Sequence, residues 1–231
     1  NKFSEAVPCF DYAIKLNPKN KSAVNNLARV YHTIGNLRKA EELYKKTIEI
    51  DPRYVVGLNN LGNVYRDLNQ YDDAIKFYKS ALEIDSNLYV TLNNLGIATQ
   101  NIGKFKEAIG YFKKCLEINP KFAHADLQIS LSMKYDNEEN WHIKSLKNKI
   151  KDNSINPNQK LELHFGLGKA YEDININDKS FENYKKANEL KKNIANYKIE
   201  NEQKLFQSIK KSFSKEILDK CNSENKSNKM I

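Results

Sequence analysis

Four histidines and three cysteines are the residues of this chain best suited to metal ligation or nucleophilic chemistry, and their spacing supports neither. His32, His124, His142 and His164 form no H-E-x-x-H pair and fall on separate amphipathic segments, so no metal site is expected. Cys9, Cys115 and Cys221 are odd in number and far apart, which suits buried thiols better than a disulfide framework or zinc. Gly166-Leu167-Gly168-Lys169 has the residues of a phosphate loop without the G-x-x-x-x-G-K-[ST] spacing or a preceding strand, and no cofactor is expected. No nucleophile elbow singles out a serine or carboxylate, so no residue is assigned to catalysis. What recurs is an amide. The pairs Asn25/Asn26, Asn59/Asn60 and Asn93/Asn94 stand at one spacing, and a carboxamide both donates and accepts, as the main chain of an extended peptide requires.

That spacing is 34 residues, and the elements around the pairs repeat with it. If Val24, Leu58 and Leu92 take position four of each unit, position eight holds Ala28, Gly62 and Gly96, and position eleven holds Tyr31, Tyr65 and Thr99. Further on, position twenty holds Ala6, Ala40, Ala74 and Ala108, position twenty-four Phe10, Tyr44, Tyr78 and Phe112, and position twenty-seven Ala13, Thr47, Ala81 and Cys115. Small residues at eight and twenty let two helices approach closely, and the rings fill the wedge between them. Asn17-Pro18, Asp51-Pro52 and Asn119-Pro120 close units, because proline stops one helix and can begin the next. At Asp85-Ser86 the proline is missing, and Ser86 is expected to cap the following helix.

This period with these slots resembles the tetratricopeptide family, which implies an all-α, right-handed superhelical solenoid of antiparallel helix pairs with first helices on the concave wall. The amides at position six, Asn26, Asn60 and Asn94, resemble the asparagine ladder of O-GlcNAc transferases, and by that similarity they are the leading peptide contacts. Asn25, Asn59, Asn93, Arg29, Asn63, Arg66 and Gln100 are expected to share the wall. The alternative is that these side chains cap helices or hydrogen-bond between them. Chaperone-binding arrays of the family clamp a carboxylate tail with lysine at position two. This chain has Ser22, Val56 and Val90 there, which argues against that ligand.

Residues 1–120 read as the regular array, with its first unit lacking a first helix and so leaving an apolar N-terminal edge that would be prone to dimerise. Residues 121–192 read as degenerate pairs: Phe122 to Tyr135 as a first helix, then an irregular partner from Trp141 to Ile150. A better unit follows, with Leu167, Gly168, Tyr171, Ser180, Tyr184 and Ala187 in the expected slots. Leu205, Phe206, Ile209, Phe213 and Ile217 give an apolar stripe suited to a capping or linker helix within 193–221, and 222–231 reads as a linker toward a following domain. The segments Leu161–Asp173 and Ser180–Asn188 resemble bacterial tetratricopeptide–sulfotransferase fusions. That resemblance implies that Lys229-Met230-Ile231 starts a strand leading into a catalytic domain, and that this chain is the enzyme's substrate-recruiting arm.

The formal charge of +9 comes mostly from lysines scattered among asparagine and isoleucine, with no arginine-rich run. The densest stretch, Lys144 to Lys151, alternates with apolar residues and reads as a solvated face. Helical repeats that read RNA vary their paired polar positions from base to base, whereas one asparagine recurs here, so nucleic acid is the lesser alternative. A chain that is 40% hydrophobic and 29% charged should fold, and without any long apolar run it is expected to be cytoplasmic.

Overall fold

The computed structural model describes residues 2–195, with side chains described from residue 6. The stripe at Leu205–Ile217, the 222–231 linker, Cys221 and Lys229–Ile231 lie outside the described residues. Eleven helices are found there: α1 (Lys2–Leu16), α2 (Lys21–Thr33), α3 (Leu37–Ile50), α4 (Val55–Asp67), α5 (Tyr71–Ile84), α6 (Tyr89–Asn101), α7 (Phe105–Ile118), α8 (Ala123–Ser132), α9 (Trp141–Lys151), α10 (Pro157–Asp173) and α11 (Asn177–Ile194). The pairs α2/α3, α4/α5, α6/α7 and α10/α11 are the antiparallel units.

Within a unit the small slot fixes the approach. A Cβ on Gly62 would lie 2.6 Å from Cε1 of Tyr78, and one on Gly96 would lie 2.4 Å from Cε1 of Phe112. Each ring therefore seats against bare backbone. Between α2 and α3 the turn passes through Gly35 at φ +80°, and between α6 and α7 through Gly103 at φ +79°. Asn69 and Asn175 adopt φ 60° in the matching turns, as asparagine tolerates better than most side chains. Between units the core is continuous: Ala28, Tyr44, Leu61, Val64, Tyr78, Leu95 and Ala98 form one buried cluster spanning α2 to α6.

Successive first helices α2, α4, α6 and α8 meet directly, while their second helices stand further apart. The wall of first helices is therefore the inner one. On the outer side a cleft of about 510 Å³ opens between α5 and α7, floored by Leu92 and Leu95.

Four expectations need correction. Ser86 caps nothing: α6 begins at Tyr89 with Leu88 before it, and the turn is held instead by Asn87 N–H donating to Asp85 Oδ1 at 2.9 Å. The same bond closes the other unit ends, from Lys19 to Asn17, Arg53 to Asp51 and Lys121 to Asn119. An Asn or Asp whose side chain accepts from the backbone two residues on therefore marks each boundary, with or without proline. Pro18, Pro52 and Pro120 sit in these turns and start no helix. The first helix expected from Phe122 to Tyr135 stops at Ser132. Met133 is extended, and the Tyr135 N–H donates across to Asp173 Oδ2 on α10 at 3.0 Å. Finally, Lys149 does not belong to a solvated face, because its ammonium lies 2.7 Å from the fully buried Asp126 carboxylate.

Candidate functional site

The asparagine pairs sit on the inner wall in the seams between neighbouring first helices, and neighbouring repeats use them differently. Asn60 donates to Asn25 Oδ1 at 3.2 Å, joining α4 to α2. One repeat later the matching acceptor, Asn59 Oδ1, is taken by the Thr91 hydroxyl at 2.9 Å, so Asn94 donates to Asn63 Oδ1 at 3.0 Å instead. Arg66 Nη1 reaches Asn94 Oδ1 at 3.4 Å, and the Tyr78 hydroxyl gives Asn63 a second hydrogen bond at 2.8 Å. In the next seam Ala125 stands where Thr91 stood, and the buried Asn93 Oδ1 has no partner. Gln100 ties the inner wall to α8 by donating to Ser132 Oγ at 2.9 Å.

The ten expected contacts thus divide. Asn25, Asn93 and Asn94 are buried and engaged in helix packing. Asn26, Asn59, Asn60, Asn63, Arg66 and Gln100 are half-buried, and Arg29 is exposed. Asn26 takes part in no side-chain hydrogen bond among the described residues, and Arg29 in no ion pair. Beside them His32 Nε2 meets Asp67 Oδ2 at 2.8 Å, and Arg66 pairs with the other oxygen of Asp67 at 3.0 Å. What this wall offers is a row of amides and guanidinium groups, with Asn60, Asn63 and Arg66 held by neighbouring side chains and Asn26 and Arg29 uncommitted, suited to hydrogen-bonding a main chain and to pairing with acidic side chains.

Of the two described cysteines, both expected to be buried thiols, Cys115 is buried and Cys9 is exposed on α1. Among the described residues no group of three or more His, Cys, Asp or Glu is placed to hold a metal ion. Burial pushes the Cys115 thiol up to about 12, so it is not an activated nucleophile. Gly166 and Gly168 lie inside α10, where a Cβ would meet Ser130 Oγ at 2.7 Å and Tyr184 at 2.8 Å respectively.

One buried polar chain escaped the sequence reading. The Tyr135 hydroxyl lies 2.5 Å from His142 Nδ1, His142 Nε2 lies 3.4 Å from Asp126 Oδ1, and Asp126 Oδ2 receives Lys149. Burial depresses the His142 pKa and raises that of Tyr135, so both rings are neutral at pH 7. Tyr135, His142 and Asp126 are almost wholly enclosed, which leaves no room for a substrate; the chain fastens α9 and the 133–140 connection to α8. A signal was present: Asp126 occupies position four, which is Val24, Leu58 and Leu92 elsewhere. A carboxylate in an apolar slot requires a buried partner.

Paired helices stacked at a constant period, with a half-exposed polar inner wall, define a repeat scaffold of the kind that engages other polypeptides. Two family models, each described as tetratricopeptide repeat, match residues 1–55 and 54–121, and the chain belongs to the tetratricopeptide repeat family. Among solved structures it is similar to MamA, at 20% identity and a TM-score of 0.54 over 84% of this chain and 92% of that one. It is also similar to YrrB, described as a TPR protein with an unusual peptide-binding site, at 21% identity and a TM-score of 0.56 over 78% of this chain and 91% of that one. At these identities the likeness is one of fold. No curated protein sequence matches.

Proposed function

We propose that this chain is a non-catalytic interaction scaffold whose inner wall holds an extended peptide, with amides on the peptide backbone and guanidinium groups on its acidic side chains. The observation that carries the reading is the accessible set Asn26, Arg29, Asn60, Asn63 and Arg66 on two successive first helices, with Asn26 and Arg29 not committed to side-chain partners within the fold. YrrB, which is like this chain in fold, is itself described as peptide-binding. The buried Asn94 contributes by positioning Asn63 and Arg66, and not by touching ligand.

A fluorescent random-peptide library, measured against wild type and against Asn26→Ala/Arg29→Ala/Asn60→Ala of equal helicity, tests it. Binding that is lost in the triple variant but kept in the outer-face control Lys79→Ala/Lys114→Ala supports the site. Equal binding by all three proteins refutes it.

The finer reading is that the scaffold recruits substrates for a sulfotransferase-like enzyme. It rests on the resemblance of Leu161–Asp173 and Ser180–Asn188 to that class of fusion protein. Extending the coding sequence beyond Ile231 tests it: a strand followed by a glycine- and arginine-containing phosphate loop supports the reading, and its absence removes it.

A further inference from the structure

The inner wall changes chemistry along its length. Position nine runs Arg29, Asn63, Ile97, Leu131 through four successive repeats, and position five runs Asn25, Asn59, Asn93, Leu127. On α2 and α4 these slots, with His32, Arg66 and Asp67 beside them, are polar and carry net positive charge. Position nine turns aliphatic on α6 and α8, and position five follows on α8, while Asn93 keeps an amide at position five of α6. Leu131 is 50% exposed, although it lies on the inner wall of a folded array. Leu127 sits one turn before it on the same face of α8, and Ile97 and Phe165 are half-buried on the helices to either side. Among the described residues the apolar half leaves Leu131 uncovered, and the polar half holds a cation, Arg29, with no acid paired to it.

Resting on the peptide-binding reading above, we infer that the preferred ligand is amphiphilic along its length, with an acidic residue against Arg29 and Arg66 and a leucine-like residue against Leu127 and Leu131. Neighbouring packed helices are spaced by about 10 Å, and an extended chain advances about 3.3 Å per residue, so the two features should stand roughly six to nine residues apart. Charge complementarity favours the acidic end, and the exposed aliphatic side chains gain by leaving water. Such a wall discriminates by position, because reversing the ligand sets its acid over Leu131 and its apolar group over Arg29.

Fluorescein-labelled 14-residue peptides on a Ser/Gly/Thr background test this with the full chain. They carry Glu-Glu and Leu-Leu seven residues apart in either order, Glu-Glu alone, Leu-Leu alone, or Lys-Lys with Leu-Leu. One order of the amphiphilic peptide should bind at least tenfold more tightly than its reverse or either single-feature peptide. Arg29→Glu and Leu131→Asp, both at exposed positions that leave the fold intact, should each weaken it about fivefold or more. On Arg29→Glu the Lys-Lys version should bind more tightly than the Glu-Glu version. Binding that ignores order, or that survives both substitutions, overturns the inference. If the random library still loses binding on Asn26→Ala/Arg29→Ala/Asn60→Ala in that case, the groove itself stands and only its polarity is wrong; if no peptide binds anywhere on the wall, both readings fall.

Discussion

The Tyr78 hydroxyl on α5 donates to Asn63 Oδ1 on α4 at 2.8 Å, and one repeat later the same two slots hold Phe112 and Ile97. Where the acceptor is lost, the hydroxyl is lost with it. One repeat earlier the match fails: Tyr44 faces the slot of Arg29, a side chain with donors only, and its buried hydroxyl has no partner. Burial pushes the Tyr44 pKa up to about 12. Three repeats thus give a satisfied polar pair, an apolar pair and a mismatched pair at one site.

Removing the Tyr44 hydroxyl should therefore be free or helpful. Tyr44→Phe is expected to raise stability by up to about 1 kcal/mol, and Tyr78→Phe to lower it by about 1 kcal/mol. Urea midpoints of the two variants against wild type decide this. Equal losses in both would show that the Tyr44 hydroxyl finds a partner.

Two glycines on helices should respond to alanine with opposite signs. A Cβ on Gly96 would sit 2.4 Å from the buried Phe112 ring, and overpacking of this kind costs about 1–3 kcal/mol. Gly110, inside α7, has nothing within 4 Å, so Gly110→Ala should gain about 0.5–1 kcal/mol from the stiffer backbone. Thermal melts followed by circular dichroism should place Gly110→Ala above wild type and Gly96→Ala well below it; a loss from Gly110→Ala would contradict the open space around it.

Acid should weaken the C-terminal half. Burial depresses the pKa of both His142 and His164 below the ordinary 6.5, so the unfolded chain takes up protons that the folded chain refuses. Stability is then complete above pH about 6.5 and falls as the pH drops from there toward the folded values, by up to about 1.4 kcal/mol per pH unit for each histidine. The carboxylates with shifted pKa, such as Glu41 and Asp51, are lowered from ordinary values of 4.5 and 3.8 and lose their contribution only at lower pH. Melting temperatures at pH 7.5 and 5.5 should differ in wild type, and the difference should shrink in His164→Asn. An unchanged difference would mean that other groups control the acid response.

The repeat was readable because each unit solves the same packing problem with the same residue types. Small residues face rings at Gly62/Tyr78 and Gly96/Phe112 in the structure, as their positions implied. The decay after Pro120 was readable as well, but not its cause. Asp126 in an aliphatic slot announced a buried charge; that His142 and Lys149 answer it from α9 depended on a connection with no repeat to copy.

The period, the helix pairs, the close-approach slots and the placement of the asparagines on first helices were all legible in the residues, because they follow from contacts within one unit. Which amides remain accessible was not legible there and depends on how the units pack together. Asn60 and Asn94 occupy one slot, yet Thr91 displaces the second onto Asn63 and buries it, whereas Asn60 stays half-exposed. A side chain in a seam bonds to whatever its neighbour presents some 30 residues away, and that choice is set by packing between units rather than by the pattern within one.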